Sequence, residues 1–275
     1  MKPITNMAFY CCGVRMEDSR QAQPICGDDY ARVFMDEYGV RIYDMFKDEV
    51  HCNASMLVRH RIIDDVLRQQ LLVNPDLCVI TIGAGLDSRP YRLNGGKWFE
   101  LDEPAVVQHK DKRLPATKCP NQLERIPIDF SIDVLKDKLA PIATAEPVII
   151  IMEGVFIYLS EDEVKETIEP FHRLFPAHHL VCDLVNRQIV ERYGRSLHEK
   201  IEGIGAHFKP VDYPDKVFTT NGYRIKNRIS IVERSTDFGI NKIPKWLLRY
   251  FFSSDVFGNS VYVFESHELY SDLVI

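Results

Sequence analysis

A short apolar run that breaks off at two glycines constrains the fold of this chain more than any other stretch. Residues 76–90 read Asp-Leu-Cys-Val-Ile-Thr-Ile-Gly-Ala-Gly-Leu-Asp-Ser-Arg-Pro. A β-branched run followed by Gly83-Ala84-Gly85 and by helix-starting residues predicts a buried strand, a tight turn and a helix. Because glycine has no side chain, the backbone N–H groups of such a turn can approach a ligand closely. The same pattern also occurs in turns that serve packing alone.

A second predicted strand, residues 97–101, ends in Asp102, seventeen residues after Gly85. In dinucleotide-binding folds an acidic residue at about this spacing accepts hydrogen bonds from the hydroxyls of a ribose. The glycine turn and Asp102 together therefore favour a nucleoside-containing ligand more strongly than the turn does alone.

Two further acids, Asp129 and Glu153, also follow predicted strands, at residues 123–128 and 147–152. Open α/β sheets bind ligands at the carboxyl ends of their strands, so three acids at that edge predict a nucleoside pocket. Asp129 could accept a hydrogen bond from an adenine amino group, with Phe130 against the ring. Any one of these acids taken alone could instead be a helix cap or a solvated side chain.

Apolar strands alternate with helical stretches across residues 76–185, which predicts a parallel sheet with helices on both faces. The alternation then stops, and residues 187–226 form a polar, helix-like and proline-containing stretch that we interpret as an insertion or lid. Residues 228–233 and 260–265 predict two closing strands, antiparallel to each other at the sheet edge. An aromatic helix at 245–252 is expected between them.

The segment before the glycine turn is predicted to be helical. Residues 1–52 favour irregular helices that cover an edge of the sheet, and residues 53–72 show apolar side chains at helical spacing. Arg59, His60 and Arg61 lie beside this apolar stripe. They could form a solvated face, or one arginine could point at the glycine turn and bind a carboxylate through two parallel hydrogen bonds.

Composition limits the classes of partner. The chain has 275 residues, of which 45% are hydrophobic, and its formal net charge is −6. We expect one domain, and the acidic balance argues against a nucleic acid or an anionic membrane as partner. Neither a membrane-spanning run nor the apolar core of a signal peptide is recognisable, which predicts a cytoplasmic protein.

The cysteines and histidines suggest neither disulfides nor a metal. Seven cysteines are scattered singly, apart from the adjacent pair Cys11 and Cys12, and no Cys-x-x-Cys occurs. This pattern predicts reduced, mostly buried thiols, with a redox role for the adjacent pair as the alternative. The nine histidines, among them His178, His179 and His267, show no ligand spacing backed by nearby acids, so we expect no metal site.

Three motifs carry a resemblance to a known family. They are Gly-Ala-Gly-Leu-Asp-Ser-Arg-Pro-Tyr-Arg-Leu at 83–93, Phe-Glu-Leu-Asp-Glu-Pro at 99–104 and Met-Glu-Gly-Val-Phe-Ile-Tyr-Leu-Ser at 152–160. In this order they resemble the leucine carboxyl methyltransferase family, which includes polyketide O-methyltransferases of the tetracenomycin type, and the resemblance runs from about Arg59 to Val185. It implies a Rossmann-like class I S-adenosylmethionine-dependent methyltransferase. The implied α/β fold has a seven-stranded, mostly parallel sheet with an antiparallel last strand, helices on both faces and a helical insertion.

The resemblance also implies which residues bind the cofactor. Arg59 would bind the methionine carboxylate, with Arg61 as the near alternative, while Glu153 would bind the methionine amino group and Asp102 the ribose. The other implied cofactor-binding residues are Gly83 beneath the methionine part, Gly85, and Asp129 with Phe130 at the adenine.

The implied activity is metal-independent transfer of a methyl group from S-adenosylmethionine to a carboxylate or hydroxyl oxygen of a small, polyketide-like molecule. A protein C-terminus as acceptor and a non-catalytic partner protein remain alternatives. A nicotinamide-dependent oxidoreductase also uses Gly-x-Gly and a later acid, but its third glycine would fall at Ser88. A carboxylate acceptor is ionised at neutral pH and needs no base, whereas a phenol does. Any base is expected from residues 187–226, where His198 and His207 are the candidates; the acceptor and the oligomeric state stay open.

Overall fold

One β-sheet forms the centre of the molecule. The computed structural model describes residues 3–266. The strands within these residues are β1 (Cys78–Ile82), β2 (Lys97–Asp102), β3 (Gln122–Pro127), β4 (Val148–Met152), β5 (His178–Val185), β6 (Tyr223–Ser230) and β7 (Asn259–Ser266). They lie in the order β3-β2-β1-β4-β5-β7-β6.

The sheet is parallel except for β7, which lies antiparallel between β5 and β6. β1 pairs in parallel with both β2 and β4, so the strand order reverses at the β1–β4 boundary. Such a reversal opens a crevice at the carboxyl ends of the two strands, where open α/β sheets bind ligands. The Rossmann-like sheet with an antiparallel last strand is therefore confirmed.

Helices connect these strands and cover both faces. They are α1 (Pro3–Ser19), α2 (Ala31–Phe34), α3 (Glu37–Asp44), α4 (Val50–Val73), α5 (Arg89–Arg92), α6 (Pro104–Arg113), α7 (Leu135–Leu139), α8 (Glu161–Leu174), α9 (Arg187–Tyr193), α10 (Arg195–Gly203), α11 (Lys216–Thr219), α12 (Ile231–Arg234), α13 (Lys245–Phe251) and α14 (Ser253–Gly258). Short 3-10 turns lie at Ala116–Lys118, Ala140–Ile142, Phe156–Tyr158 and Ser235–Phe238.

The two sheet faces have separate apolar cores. On one face, Leu67 and Leu71 of α4 pack with Val79 of β1 and Ile231 of α12. On the other face, α8 and α11 pack against side chains such as Ile150. The side chains alternate between faces along each strand, so neighbouring residues of β4 enter different cores.

Helix α8 begins with a capping box. The Ser160 hydroxyl accepts a hydrogen bond from the Glu163 N–H, and the Glu163 carboxylate accepts one from the Ser160 N–H. This capping box satisfies N–H groups that the first helical turn leaves without partners. Val164, Ile168 and Phe171 then recur at helical spacing and are buried.

The sixth strand lies earlier in the chain than the sequence suggested. The prediction of a strand at 228–233 is wrong, because β6 ends at Ser230, whose hydroxyl accepts from the Glu233 N–H and starts α12. The predicted insertion 187–226 therefore overlaps the first residues of β6. The segment between β5 and β6 contains α9, α10 and α11.

The two edge strands of the sheet are β6 and β3. β6 is exposed along most of its length and its pairing with β7 shifts register between Ile225 and Asn227. β3 forms the opposite edge and ends at Pro127, where the proline has no N–H to donate to a further strand.

Candidate active site

The glycine turn closes tightly at the carboxyl end of β1. Gly83 has φ 68° and Gly85 has φ 51°, a left-handed backbone that glycine adopts without strain. A Cβ at Gly83 would lie 2.8 Å from Cγ2 of Val155, so no side chain fits there. The N–H groups of Gly83 and Ala84 donate to the Leu101 carbonyl at 2.9 and 3.2 Å. These donors hold the end of β2 and do not point into open space, which differs from the sequence-based expectation.

Asp102 is held in place by backbone donors on both carboxylate oxygens. Gly85 N–H donates to Oδ2 at 2.5 Å and Glu103 N–H donates to Oδ1 at 2.7 Å. The side chain is buried, and burial raises the pKa of this carboxyl to about 6 although both N–H bonds act in the opposite direction. Each carboxylate oxygen can accept a second hydrogen bond, so a fixed Asp102 retains acceptor capacity for a pair of hydroxyls.

Asp129 and Phe130 follow β3 beside Asp102. The Ile128 N–H donates to the Asp102 carbonyl at 2.9 Å, which brings this turn next to the end of β2. Oδ1 of Asp129 accepts from the Ser131 N–H at 3.0 Å and from the Ser131 hydroxyl at 2.5 Å. Phe130 is 46% exposed. Asp129 therefore shapes the turn, and the Phe130 ring lies at the surface.

Arg59 faces the carboxyl end of β4 and makes two ion pairs there. Nε donates to Oε1 of Glu153 and Nη1 donates to Oδ2 of Asp183, each at 3.0 Å. Within residues 3–266, Nη2 of Arg59 has no hydrogen-bond partner. Gly154, with φ 68°, leaves room for this guanidinium, because a Cβ there would lie 3.2 Å from Nη2.

Arg61 lies on another side of α4. Its Nε donates to Asp65 at 2.8 Å and its Nη1 donates to the Ile25 carbonyl at 2.7 Å. Of the two arginines that the sequence left open, the structure therefore brings Arg59 next to Glu153.

Glu153 is also held from behind by Arg89, a residue that sequence reasoning did not single out. Nη1 of Arg89 lies 2.8 Å from Oε2 of Glu153 and 2.7 Å from Oδ2 of Asp87, while Nε donates to Asp64 at 2.6 Å. Arg89 is fully buried. Burial is the largest single influence and raises the pKa of Asp87, but the neighbouring positive groups, first among them Arg89, together outweigh it and hold that pKa at about 2.

A second set of buried charges lies beyond Arg89. Oδ2 of Asp28 accepts from Arg15 at 2.9 Å, and its Oδ1 accepts from the Ser88 hydroxyl at 2.5 Å. Arg92 joins this set to Asp64 through Nη1 at 2.6 Å. Acids and arginines alternate through the whole cluster, which is how buried charges are tolerated in a protein interior.

Asp183 and the buried arginines are the site residues that the sequence analysis missed. Asp183 is a charged residue within the apolar part of β5, residues 180–185, and this departure from the apolar pattern was a usable signal. Arg89 and Arg92 were visible only as part of the motif at 83–93, because their partners come from three other segments.

The N-terminal helix packs against the glycine turn. A Cβ at Gly85 would lie 3.4 Å from the Cβ of Ala8, and Arg15 donates to the Leu86 carbonyl at 2.7 Å. α1 shares an apolar cluster with α10 and with Tyr158 in the turn after β4. The Lys209 N–H adds a hydrogen bond to the Ile157 carbonyl at 2.7 Å. The first fifty residues and the segment after β5 therefore meet on the same side of the site.

The two candidate bases differ in surroundings. The His198 ring stacks on Phe208 with centroids 5.1 Å apart, and Phe208 contacts Tyr158. Nε2 of His198 is buried without a hydrogen-bond partner among the described residues, and Oε1 of Glu202 lies 3.5 Å away. The His207 side chain is 66% exposed, with Nδ1 3.4 Å from the same Glu202 oxygen. Only His198 has a sheltered ring nitrogen.

Residues 3–266 hold neither a metal-binding group of side chains nor a membrane-spanning helix. In that part of the chain no three His, Cys, Asp or Glu side chains are arranged to hold a metal ion, and His267 lies outside it. No helix there is long and apolar enough to span a bilayer.

All seven cysteines are free, three of them buried and four half-buried, so the thiols are less sheltered than predicted. Burial raises the pKa values of both Cys11 and Cys12, which disfavours the thiolate that redox chemistry needs.

The family model of leucine carboxyl methyltransferases matches residues 8–172, more than half of the chain. The chain belongs to this family. The match begins in α1, so the N-terminal helices belong to the family region, whereas the sequence motifs had delimited it from about Arg59. It ends in α8, before the predicted insertion.

Curated relatives agree with this assignment. A tetracenomycin polyketide synthesis O-methyltransferase of Streptomyces glaucescens is 26% identical over 176 residues, covering 62% of this chain and 62% of that protein. A Streptomyces avermitilis protein classed with the S-adenosyl-L-methionine-dependent methyltransferases is 30% identical over 149 residues, covering 51% of this chain and 52% of that protein. The matches span 41% to 62% of the length of the first such relatives.

Solved structures share the fold at low sequence identity. A protein of Streptomyces avermitilis matches with a TM-score of 0.58 and 11% identity, over 92% of this chain and 97% of that one. Magnesium protoporphyrin IX methyltransferase from Synechocystis, crystallised with S-adenosylhomocysteine, matches with a TM-score of 0.50 and 14% identity, over 82% and 93%. The predicted family and methyltransferase fold are confirmed.

Proposed function

We propose that this chain is an S-adenosylmethionine-dependent O-methyltransferase whose methionine-binding pair is Arg59 and Glu153. The observation that carries the proposal is the juxtaposition of these opposite charges at the reversal of strand order, with Asp102 at the end of β2, on the other side of β1. An amino acid with a nucleoside presents a carboxylate, an ammonium and ribose hydroxyls. Arg59 complements the carboxylate, Glu153 complements the ammonium and Asp102 complements the ribose hydroxyls.

The donor set of the site fits this cofactor. The unpaired Nη2 of Arg59 can donate to a carboxylate, and Glu153 can accept from an ammonium. Asp102 can accept from ribose hydroxyls, and Gly83, in the tight turn at the end of β1, is assigned to the methionine part. Gly85 contributes by fixing Asp102.

The adenine end is less enclosed. Asp129 is assigned to the adenine amino group and Phe130 to the ring face, on the basis of their location beside Asp102. The exposed Phe130 ring can turn onto a base without displacing packed neighbours, because nearly half of its surface is already in solvent. When bound, the cofactor supplies an electrophilic methyl group on a sulfonium.

For the acceptor, the proposal is a carboxylate or hydroxyl oxygen of a small molecule. The segment 1–52 would serve as a cover and 187–226 as a lid, since they meet over the site through the cluster that joins α1, α10 and Tyr158. Excluding water there would strengthen the electrostatic interactions on which methyl transfer depends. A hydroxyl acceptor needs a base, and the sheltered Nε2 of His198 makes it the better of the two candidates.

Calorimetry with S-adenosylhomocysteine tests the cofactor assignment. Arg59→Lys should weaken binding roughly tenfold, because an ammonium cannot reproduce the planar fork of a guanidinium. Arg61→Lys is the matched control, since it changes the same residue type on the same helix, and should bind like the wild type. Absence of binding by the wild-type protein would refute the proposed function.

A screen of small carboxylic acids, phenols and peptides with a free C-terminus, using a methyl-labelled donor, identifies the acceptor class. With a carboxylate acceptor and a saturating concentration of S-adenosylmethionine, the rate should stay flat from about pH 6 to about pH 8, because the acceptor is already ionised. A log-linear rise that His198→Ala abolishes and His207→Ala leaves intact would establish base-assisted hydroxyl methylation instead. Cofactor binding without transfer to any acceptor would favour a non-catalytic partner protein.

A further inference from the structure

Three side chains contact the carboxylate of Glu153: Arg59, Arg89 and His60. Arg59 approaches Oε1, whereas Arg89 and Nδ1 of His60 both approach Oε2, at 2.8 and 3.2 Å. His60 is 2% exposed and sits on α4 next to Arg59 in sequence. Its other ring nitrogen, Nε2, lies 2.9 Å from Nη2 of Arg92.

These contacts fix the protonation state of His60. Both ring nitrogens face a guanidinium, which has only donors: Nε2 faces Arg92 at 2.9 Å and Nδ1 faces Arg89 at 2.8 Å. The position of the nearest carboxylate therefore decides between the tautomers, and Oε2 of Glu153, 3.2 Å from Nδ1, accepts a proton carried by that nitrogen. Nη2 of Arg89, which lies 2.8 Å from Nδ1, is satisfied by the His60 carbonyl at 3.0 Å.

The opposite tautomer leaves groups unsatisfied. With the proton on Nε2, this N–H would face Arg92 at 2.9 Å and have no acceptor within hydrogen-bond distance among residues 3–266, since Oδ1 of Asp64 is 3.8 Å away. A doubly protonated ring meets the same conflict. The buried imidazole is therefore neutral, with one acceptor side toward Arg92 and one donor side toward Glu153.

We propose that His60 is a positioning residue that orients Glu153 toward the ammonium of the bound cofactor. The inference rests on the proposed function. Arg59 contacts Oε1 of Glu153 through Nε and keeps Nη2 for the methionine carboxylate. His60 and Arg89 then hold Oε2, which leaves Oε1 directed at the ligand. Through Arg92 the ring is itself anchored to Asp64.

Two substitutions distinguish the contact made by Nδ1 of His60 from the contact made by Nε2. In His60→Asn the amide nitrogen can occupy the place of Nδ1 and keep the bond to Glu153. In His60→Gln the amide oxygen can reach the place of Nε2 and keep the bond from Arg92, but the donor to Glu153 is lost. The two variant side chains have similar polarity, and they differ in which hydrogen bond of His60 is retained.

A matched pair of ligands distinguishes positioning from general structural support. S-adenosylhomocysteine carries the carboxylate and the ammonium, whereas 5′-methylthioadenosine carries the nucleoside and sulfur without either. His60→Gln should lose roughly tenfold in affinity for S-adenosylhomocysteine, the effect of one charge-assisted hydrogen bond. His60→Asn should lose about threefold or less, and the affinity of both variants for 5′-methylthioadenosine should remain within about twofold of the wild type.

Each remaining outcome is decisive. Parallel losses for both ligands would make His60 a structural residue, and equal losses in His60→Asn and His60→Gln would refute the donor role of Nδ1. Wild-type affinity in His60→Gln would also overturn the inference. Failure of the wild-type protein to bind S-adenosylhomocysteine would instead refute the proposed function, and thermal unfolding of the free proteins identifies any variant that does not fold.

Discussion

Arg59 and Asp183, 124 residues apart, are joined by a 3.0 Å ion pair between Nη1 and Oδ2. The second carboxylate oxygen of Asp183 accepts the Gly154 N–H at 2.6 Å. One aspartate in β5 therefore fixes both the arginine of α4 and the turn that follows β4.

Asp183→Asn tests the importance of that link. The amide preserves the shape but removes the charge next to Arg59, so the guanidinium would be held less firmly and affinity for S-adenosylhomocysteine should fall roughly tenfold. Asp212→Asn is the control, because Asp212 pairs with Arg187 in an exposed ion pair. Titration calorimetry measures both, and equal affinities in the two variants would contradict the prediction.

Cofactor affinity should depend on pH through Asp102. Burial raises the pKa of this carboxyl to about 6, and only the ionised form accepts from both ribose hydroxyls. Lowering the pH to about 5 would leave about a tenth of Asp102 ionised and weaken S-adenosylhomocysteine binding about tenfold relative to about pH 8. Asp102→Ala should bind about ten- to hundredfold more weakly at high pH, with no step near pH 6. A step of the same size in Asp102→Ala would assign it to another group.

Gly154→Ala should damage both stability and cofactor binding. The residue has φ 68°, where an alanine costs about 1–2 kcal/mol, and the new methyl would lie 3.2 Å from Nη2 of Arg59. Gly203→Ala is the control, because a Cβ there meets no atom within 4 Å and its φ lies outside the left-handed region. Chemical denaturation and calorimetry report the two effects, and a Gly154→Ala protein that matches Gly203→Ala in both would refute the assignment.

The free energy of unfolding should decrease as the pH falls below about 6.5, because of His178. This ring is fully buried, and burial lowers its pKa to about 3, although the hydrogen bond to the Phe175 carbonyl acts in the opposite direction. The unfolded chain gains a proton that the folded ring does not take up, which costs about 2 kcal/mol at about pH 5.

His178→Gln checks this by urea denaturation at several pH values. The variant should be less stable at neutral pH, because the hydrogen bond from Nδ1 to the Phe175 carbonyl is lost, yet its stability should change less with pH. Burial lowers the pKa of the neighbouring His179 to about 4, so part of the slope should survive. If the free energy of unfolding of His178→Gln changed with pH as steeply as that of the wild type, His178 would not be a source of the pH dependence.

Elements with a strong local pattern were predictable from sequence. β1 and β4 are short β-branched runs buried on both faces, and the start of α8 carries its own capping box. The site acids at the ends of β2 and β4 followed from the same logic, because the end of a parallel strand fixes the sheet edge at which its next residue lies.

Elements whose partners are distant in sequence were not predictable. α1 buries side chains on several sides, so it lacks the one-sided stripe that identifies a surface helix. β6 is exposed at Arg224 to Arg228 and shows no apolar alternation, which made its start look like loop. The roles of His60 and Asp183 could not be predicted, because each depends on a partner distant in sequence. His60 contacts Glu153, and Asp183 pairs with Arg59.

The composition of β6 has a consequence for self-association. An edge strand presents unpaired N–H and C=O groups that invite another strand to pair with it. Here the outermost strand carries Arg224, Lys226 and Arg228, and its ladder is broken by a register shift at Ile225. A second copy docking edge to edge would bring these cations together across an irregular ladder. The sheet is thereby protected against the open-ended stacking from which aggregates grow.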